Sequence, residues 1–214
     1  MLRQSGLLIF ALCLSLQATI IDRIAIIVNN QIIKDSDIER DLRVVDFLNR
    51  EKLVLDPTAR KSAANRLIDQ VLIRREIQVG EYPTPSQSDA DKLFQQIVKD
   101  RFANHAALIK ALASYGLTED QLKQYLLWQL TVLRFIDQRF RPAVLVTDQD
   151  IEQYYNEHRS QFRKTGTAQP KSLDEARSEI QQAIAGERMN KLFYAWLAAR
   201  RKSANIQYKE EGLQ

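Results

Sequence analysis

The sequence predicts a mainly α fold with a small β element, and three observations carry that prediction. Apolar residues recur at helical spacing behind a series of capping signals along most of the chain. Only six glycines and five prolines occur in 214 residues, too few for an all-β fold built on tight turns. The two strand-like segments, residues 20–28 and 204–208, lie at opposite ends of the chain, and strands that short need a partner. The two ends are therefore expected to meet in one small sheet.

The elements follow in order. Residues 20–28 (IIDRIAIIV) are β-branched and apolar and read as a strand. Asn29-Asn30 suits a two-residue hairpin turn, because asparagine tolerates positive φ. Gln31 to Lys34 is the returning strand. Ser36 with Glu39 forms a capping box that starts a helix running to about Arg50. Pro57-Thr58 opens a second helix that ends at Gly80. Ser86 or Ser88 opens a third. Asn104 caps a short fourth helix closed by Gly116. Thr118 with Gln121 is a further capping box, and the long helix behind it stops at Pro142. After an extended link over 143–146, Thr147 caps another helix. Residues 164–170 (KTGTAQP) are a loop by composition. Ser172 with Glu175 starts the last helix, which runs to about Lys202, and Gly186 inside it marks a bend or a close packing. Ala204, Ile206 and Tyr208 then alternate as a strand does.

On the helix that follows Thr118, Leu122, Tyr125, Leu126, Val132, Leu133, Ile136 and Phe140 form one stripe at 100° per residue. Trp128 and Phe135 stand outside it, and Leu127 and Leu130 flank the opposite side. A surface helix has one apolar stripe. This helix is therefore either sandwiched in the core or offers a second apolar face to another chain.

Composition narrows the function classes. Hydrophobic residues make up 45% and charged residues 27%, which supports a packed core. A formal charge of +4 is too weak to imply nucleic acid. The N-terminus has the layout of a secretory signal: Arg3 as the only charge among the first 18 residues, an apolar run from Leu7 to Leu16, then Gln17-Ala18. The run is shorter than the roughly 20 residues that span a bilayer. An uncleaved anchor or a buried first helix is the alternative. The single cysteine, Cys13, lies inside that signal. A chain cleaved after Ala18 then has no thiol for disulfides, catalysis or metal.

Catalytic groups are scarce. His105 and His158 both sit at helix ends, where solvation explains them, and neither is a candidate base. HExxH, a Gly-rich phosphate loop and a nucleophile elbow are all missing. Asp148, Asp150 and Glu152 resemble the start of a calcium loop but lack its later glycine and closing glutamate. The basic groups Arg139/Arg141 and Arg200 to Lys202 fall at helix C-termini, where the dipole favours cations. The expectation is no catalytic residue, no metal and no cofactor.

The order of these segments resembles the SurA-type periplasmic chaperones. IIDRIAIIVNNQIIKDSDIER (20–40) is similar to the family's opening strand, turn, strand and capped helix. LIDQVLIRREIQVG (67–80) resembles its second helix, and YGLTEDQLKQYLLWQL (115–130) the start of its long helix. VTDQDIEQYYNEHRSQF (146–162) resembles the segment that leads into a prolyl isomerase domain, and residues 172–208 the helix and strand that follow it. Relatives carry parvulin domains between those last two segments. Here eight residues, Lys164 to Lys171, stand in that place, against about 50 for a small domain.

The resemblance implies a helical chaperone core of the SurA and trigger-factor kind without its isomerase. It implies a signal at 1–18, an N-terminal chaperone segment at 19–163, a linker at 164–171, and a helix and strand at 172–214 completing the same core. The implied function is ATP-independent binding of unfolded outer-membrane or secreted polypeptides in the periplasm, with no nucleic acid and no embedding in the membrane. The candidate contacts to polypeptide are Tyr115, Tyr125, Trp128, Phe135, Tyr154 and Tyr155. Two alternatives stay open. One is a peptidyl-prolyl isomerase relative with residual activity. The other is an assembly protein that forms a homodimer by exchanging its C-terminal helix and strand.

Overall fold

A computed structural model describes residues 22–162 and 171–213. The signal at 1–18 with Cys13, the start of the first strand at Ile20 and Ile21, and the loop at 164–170 lie outside the described residues. β1 (Ile24–Val28) and β2 (Gln31–Lys34) form the expected hairpin across Asn29-Asn30. Among the described residues seven α-helices follow: α1 (Asp35–Asn49), α2 (Pro57–Val79), α3 (Gln87–Arg101), α4 (His105–Ser114), α5 (Glu119–Phe140), α6 (Asp148–His158) and α7 (Leu173–Ser203). β3 (Ile206–Tyr208) closes the order. The protein is thus mainly helical with one antiparallel sheet of order β2-β1-β3.

The two chain ends do meet. Ile26, Ile27 and Val28 pair with Tyr208, Gln207 and Ile206. Asn29 adds a clasp beyond the ladder: its N–H donates to the Asn205 carbonyl (2.7 Å), and its side-chain oxygen accepts from the Asn205 N–H (3.0 Å). The positive φ of 54° at Asn29 permits this, and asparagine takes that conformation more readily than most residues.

Five of the helix starts form as the side chains dictate. Ser86, Asn104, Thr118, Thr147 and Ser172 each accept a hydrogen bond from a first-turn N–H. The start of α1 differs from expectation. β2 runs directly into the helix, so Ser36 lies within the first turn and its hydroxyl donates to Asp22 (2.6 Å). Asp37 takes the capping role instead and accepts the Lys34 N–H at 3.0 Å.

The described residues form three apolar clusters. The main core gathers the inner faces of β1 and β2, α2, the C-terminal half of α5 and the C-terminal half of α7, with Ile26, Ile68 and Phe135 at its centre. A second cluster joins the end of α1 to α3, α4 and the start of α5 around Phe94, Leu108 and Leu122. A third joins α6 to the first half of α7 around Ile151, Tyr155 and Ile180.

The stripe read on α5 packs except for Leu133, and Trp128 and Phe135 outside it pack as well. Trp128, Phe135 and Phe140 are buried together, whereas Leu133, placed on that stripe, is 63% exposed. The reason is that α5 serves two cores. Leu122 and Leu126 face the second cluster, Phe135 and Phe140 face the first, and the buried arc turns along the helix between them. The helix is sandwiched, and the one-stripe rule holds only for a helix on one core.

Gly186 sits in unbroken helix, and a Cβ built on it meets no atom within 4 Å. The close packing expected there is absent. Replacing Gly186 by alanine removes backbone freedom from the unfolded chain and is expected to raise stability by about 0.5–1 kcal/mol. An upward shift of the urea midpoint with unchanged slope is the result to look for.

Candidate functional site: an open cleft between three helices

Beside the packed pair α1 and α2, the stretch of α2 from Leu67 to Arg74 and the middle of α5 leave a gap. Between them lies a cleft of about 260 Å³, bordered at one end by Ile32 and Ile33 of β2. On α2 the positions Leu67, Gln70, Val71 and Arg74 follow the i, i+3, i+4, i+7 spacing and form one wall. Tyr125, Gln121 and Gln124 of α5 form the facing wall. Past Trp128 the cleft continues into a hollow of about 450 Å³ bounded by Thr84, Pro85 and Leu127. A third hollow of about 340 Å³ lies between the hairpin tip and α2. Arg74 borders all three.

The walls combine apolar surface, amides and a few charges. Trp128 is mostly buried, and the Arg74 guanidinium lies over its ring at 4.0 Å from the centroid. That is cation–π contact distance. Arg74 as a whole residue is exposed, because the cleft opens to water. Protein atoms nonetheless crowd its head group and push its pKa below the ordinary arginine value. Asp41, deep in the floor, accepts a hydrogen bond from Arg66 Nε at 2.8 Å. Burial raises the Asp41 pKa, and Arg66 offsets only part of that effect. Burial beside the Asp41 charge also raises the pKa of the Tyr125 phenol.

Of the six aromatic residues named from the sequence, Tyr125 and Trp128 line this cleft. The other four stand elsewhere. Tyr115 is half-buried, packs edge-on against Phe47 and donates its hydroxyl to the Glu51 carbonyl at 2.7 Å. Phe135 is 1% exposed and sits among Tyr82, Phe140 and Trp196. Tyr154 stacks on His158 and donates to Glu187, while buried Tyr155 donates to the Lys171 carbonyl at 2.6 Å. The structure brings together two of the six and places Phe135 and Tyr155 as packing residues. Sequence reading missed Arg74, Gln70 and Gln124. Gln70 and Arg74 share one face of α2 with Leu67 and Val71, and Gln124 stands beside Tyr125 on α5, but buried residues surround α2 on all sides, so periodicity did not single that face out.

The remaining polar groups are engaged structurally. His105 Nε2 is 2.7 Å from Glu119, and His158 Nδ1 is 3.0 Å from the Tyr154 carbonyl. Asp150 accepts from both Thr147 and Arg188, and hydrogen bonding to Arg188 holds its carboxyl below the usual range, so this pair joins α6 to α7. Among the described residues, no cluster of His, Cys, Asp and Glu could hold a metal ion, and no helix is long and apolar enough to cross a membrane.

No family model matches the chain, and no curated protein matches it. A solved structure does. It comes from work describing the virulence factor PEB4 and the periplasmic protein Cj1289 of Campylobacter jejuni as two structurally related SurA-like chaperones. The superposition covers 86% of this chain and 98% of that one, with a TM-score of 0.53 and 11% identity. The fold is therefore distantly SurA-like.

Asp41 gives a test of the cleft floor. Its folded pKa lies above the unfolded value, so the folded state binds more protons between the two. Its contribution to stability is greatest below the unfolded pKa and declines as the pH rises through the folded one. Asp41→Asn, which cannot ionise, is expected to lose that decline. Denaturant titrations at pH 4 and pH 7 should show the variant gaining on the wild type as pH rises.

Proposed function

We propose that this chain is the core of an exported, ATP-independent chaperone that holds unfolded outer-membrane polypeptides in the periplasm and has no isomerase activity. The observation that carries this reading is the open cleft of α1, α2 and α5, whose walls suit an extended chain of mixed sequence. Amide side chains of Gln70, Gln121 and Gln124 can pair with any peptide backbone, because every residue offers the same carbonyl and, proline apart, the same N–H. Leu67, Val71 and Trp128 offer apolar surface to its side chains. Such contacts are individually weak and tolerant of sequence, as a holding function requires. The distant SurA-like fold and the order of the sequence segments support the same reading.

The proposed layout has a signal at 1–18, cleaved near Ala18, and one core domain made of 19–163 and 172–214. The Lys171 N–H donates to the Phe162 carbonyl at 2.8 Å. The ends of the intervening segment are thus held side by side. A site of that kind accepts a short link or a whole inserted domain with little change to the core, because closely spaced ends make the length of the insertion nearly free. This supports reading 164–171 as the place where relatives carry a parvulin domain.

The test uses the chain after the signal. It should suppress aggregation of a urea-unfolded outer-membrane β-barrel protein on dilution, with no nucleotide added. Leu67→Ser with Gln124→Ala alters two cleft positions and is expected to weaken client binding about tenfold, ~1.4 kcal/mol, with the circular dichroism unchanged. Suppression that is missing in the wild type sinks the reading. Isomerisation of a proline-containing peptide by the purified chain would replace it with the enzymatic one.

A further inference from the structure

Most arginines that border the packed helices are paired. Arg60 meets Asp35 and Glu210, Arg66 meets Asp41, Arg201 meets Asp69, and Arg139 and Arg200 share Glu76. Arg74 breaks this pattern. Among the described residues it forms neither an ion pair nor a hydrogen bond, and its one partner is the Trp128 ring. Its neighbour Arg75, on the rim of the third hollow, is likewise without an acidic partner among the described residues.

The charges around the cleft are unbalanced as a result. The two acids that line it are both occupied, Asp37 by Arg40 at 3.2 Å and Asp41 by Arg66. The second and third hollows are lined by no acid at all. A guanidinium held over an indole face, with no hydrogen bond to another described residue, has its fork of N–H donors free for a carboxylate. It also spends little further side-chain freedom on binding, since the stacking already holds it. The partial desolvation that depresses its pKa strengthens a charge-assisted bond there relative to one in open water.

We propose that Arg74 is an anion anchor, and that the cleft selects extended polypeptide segments in which a carboxylate stands beside an apolar or aromatic residue. The carboxylate meets the Arg74 fork, and Arg75 adds long-range attraction. The neighbouring apolar side chain enters the hollow bounded by Trp128, Leu127 and Pro85. The segment runs past β2, whose Ile32 is 52% exposed. Ile32 lies between the closing pair Val28/Gln31 and the pair Ile26/Ile33, so by the alternation of an antiparallel hairpin its N–H and C=O point away from β1. They are available to the backbone of the bound segment. This inference rests on the chaperone reading of the same cleft and adds a specificity to it.

The experiment measures fluorescence anisotropy of labelled ten-residue peptides with an otherwise uncharged sequence. Each carries a central Phe-Asp, Phe-Asn or Phe-Lys pair, so that any charge comes from the test residue, and each is titrated with the chain after the signal. The Asp peptide is expected to bind about tenfold more tightly than the Asn peptide, and the Lys peptide most weakly. Arg74→Gln should abolish the difference between Asp and Asn. Arg74→Lys should restore part of the difference. Lys110→Gln, on α4 away from the cleft, should change nothing, which separates a local anchor from the overall positive charge. Equal binding of the Asp and Asn peptides overturns the anchor and leaves the chaperone reading standing. A preference that survives in Arg74→Gln overturns it as well. Failure of every peptide to bind the wild type removes both the anchor and the cleft as a polypeptide site.

Discussion

The pairing of β1 with β3 is the constraint on which the rest of the structure depends. β1 is the middle strand, so it has two edges to satisfy, and β2 supplies only one. The other partner comes from more than 170 residues away, as the Asn29–Asn205 clasp makes explicit. Joining ends so distant costs little more than joining near ones, because closure entropy grows only logarithmically with length. What the pairing brings is α7. With β3 in place, Phe193, Trp196 and Leu197 cover the main core, and Arg201 reaches Asp69 and Asn65 of α2. Sheet, α2 and the last turns of α7 thus form one cooperative unit.

A second consequence runs through α5. Its N-terminal half belongs to the cluster of α3 and α4, its C-terminal half to the core that α7 closes. Along its middle, α5 leaves part of its face uncovered beside α1 and α2. The space left there is the cleft. Trp128 marks the transition, being buried on one side against the main core and bordering the cleft on the other. The cleft therefore arises from packing geometry that stability already requires, and no loop needs to move to open it.

Electrostatics follows the same division. Around the main core the ion pairs join distant segments: Arg60 ties α1, α2 and the C-terminal turn together, and Glu76 joins α2 to α5 and α7. These groups are partly exposed, so each adds modestly to stability. Their larger effect is on register, since each fixes which turn of one helix faces which turn of another. Inside the cleft Asp37 pairs with Arg40 and Asp41 with Arg66, and Arg74 is left with an aromatic face in place of a carboxylate. The surface is thus paired where helices dock and less so where they part, which is the contrast the proposed anion anchor rests on.

Local chemistry was legible in the sequence wherever one residue and its near neighbours decide the outcome. Thr118, Thr147 and Ser172 cap because a side-chain oxygen meets an N–H three residues on, and nothing remote competes. Ser36 fails for the opposite reason. A distant carboxylate, Asp22, claims its hydroxyl, and the strand ahead of it leaves no room for a separate cap residue. The meeting of the two ends could be read because a lone strand must find a partner. That α5 carries more than one apolar face could be read, but which faces are enclosed could not, since this helix serves two cores. Nor could the cleft: Phe135 and Trp128 look alike in sequence, yet one is enclosed by rings and the other borders open space. The sequence by itself determined the elements, their caps and the union of the chain ends, all short-range or obligatory hydrogen bonding. Which faces of those elements stay uncovered, and that Arg74 stands there unpaired, was decided only in three dimensions, where helices from remote parts of the chain compete for the same space.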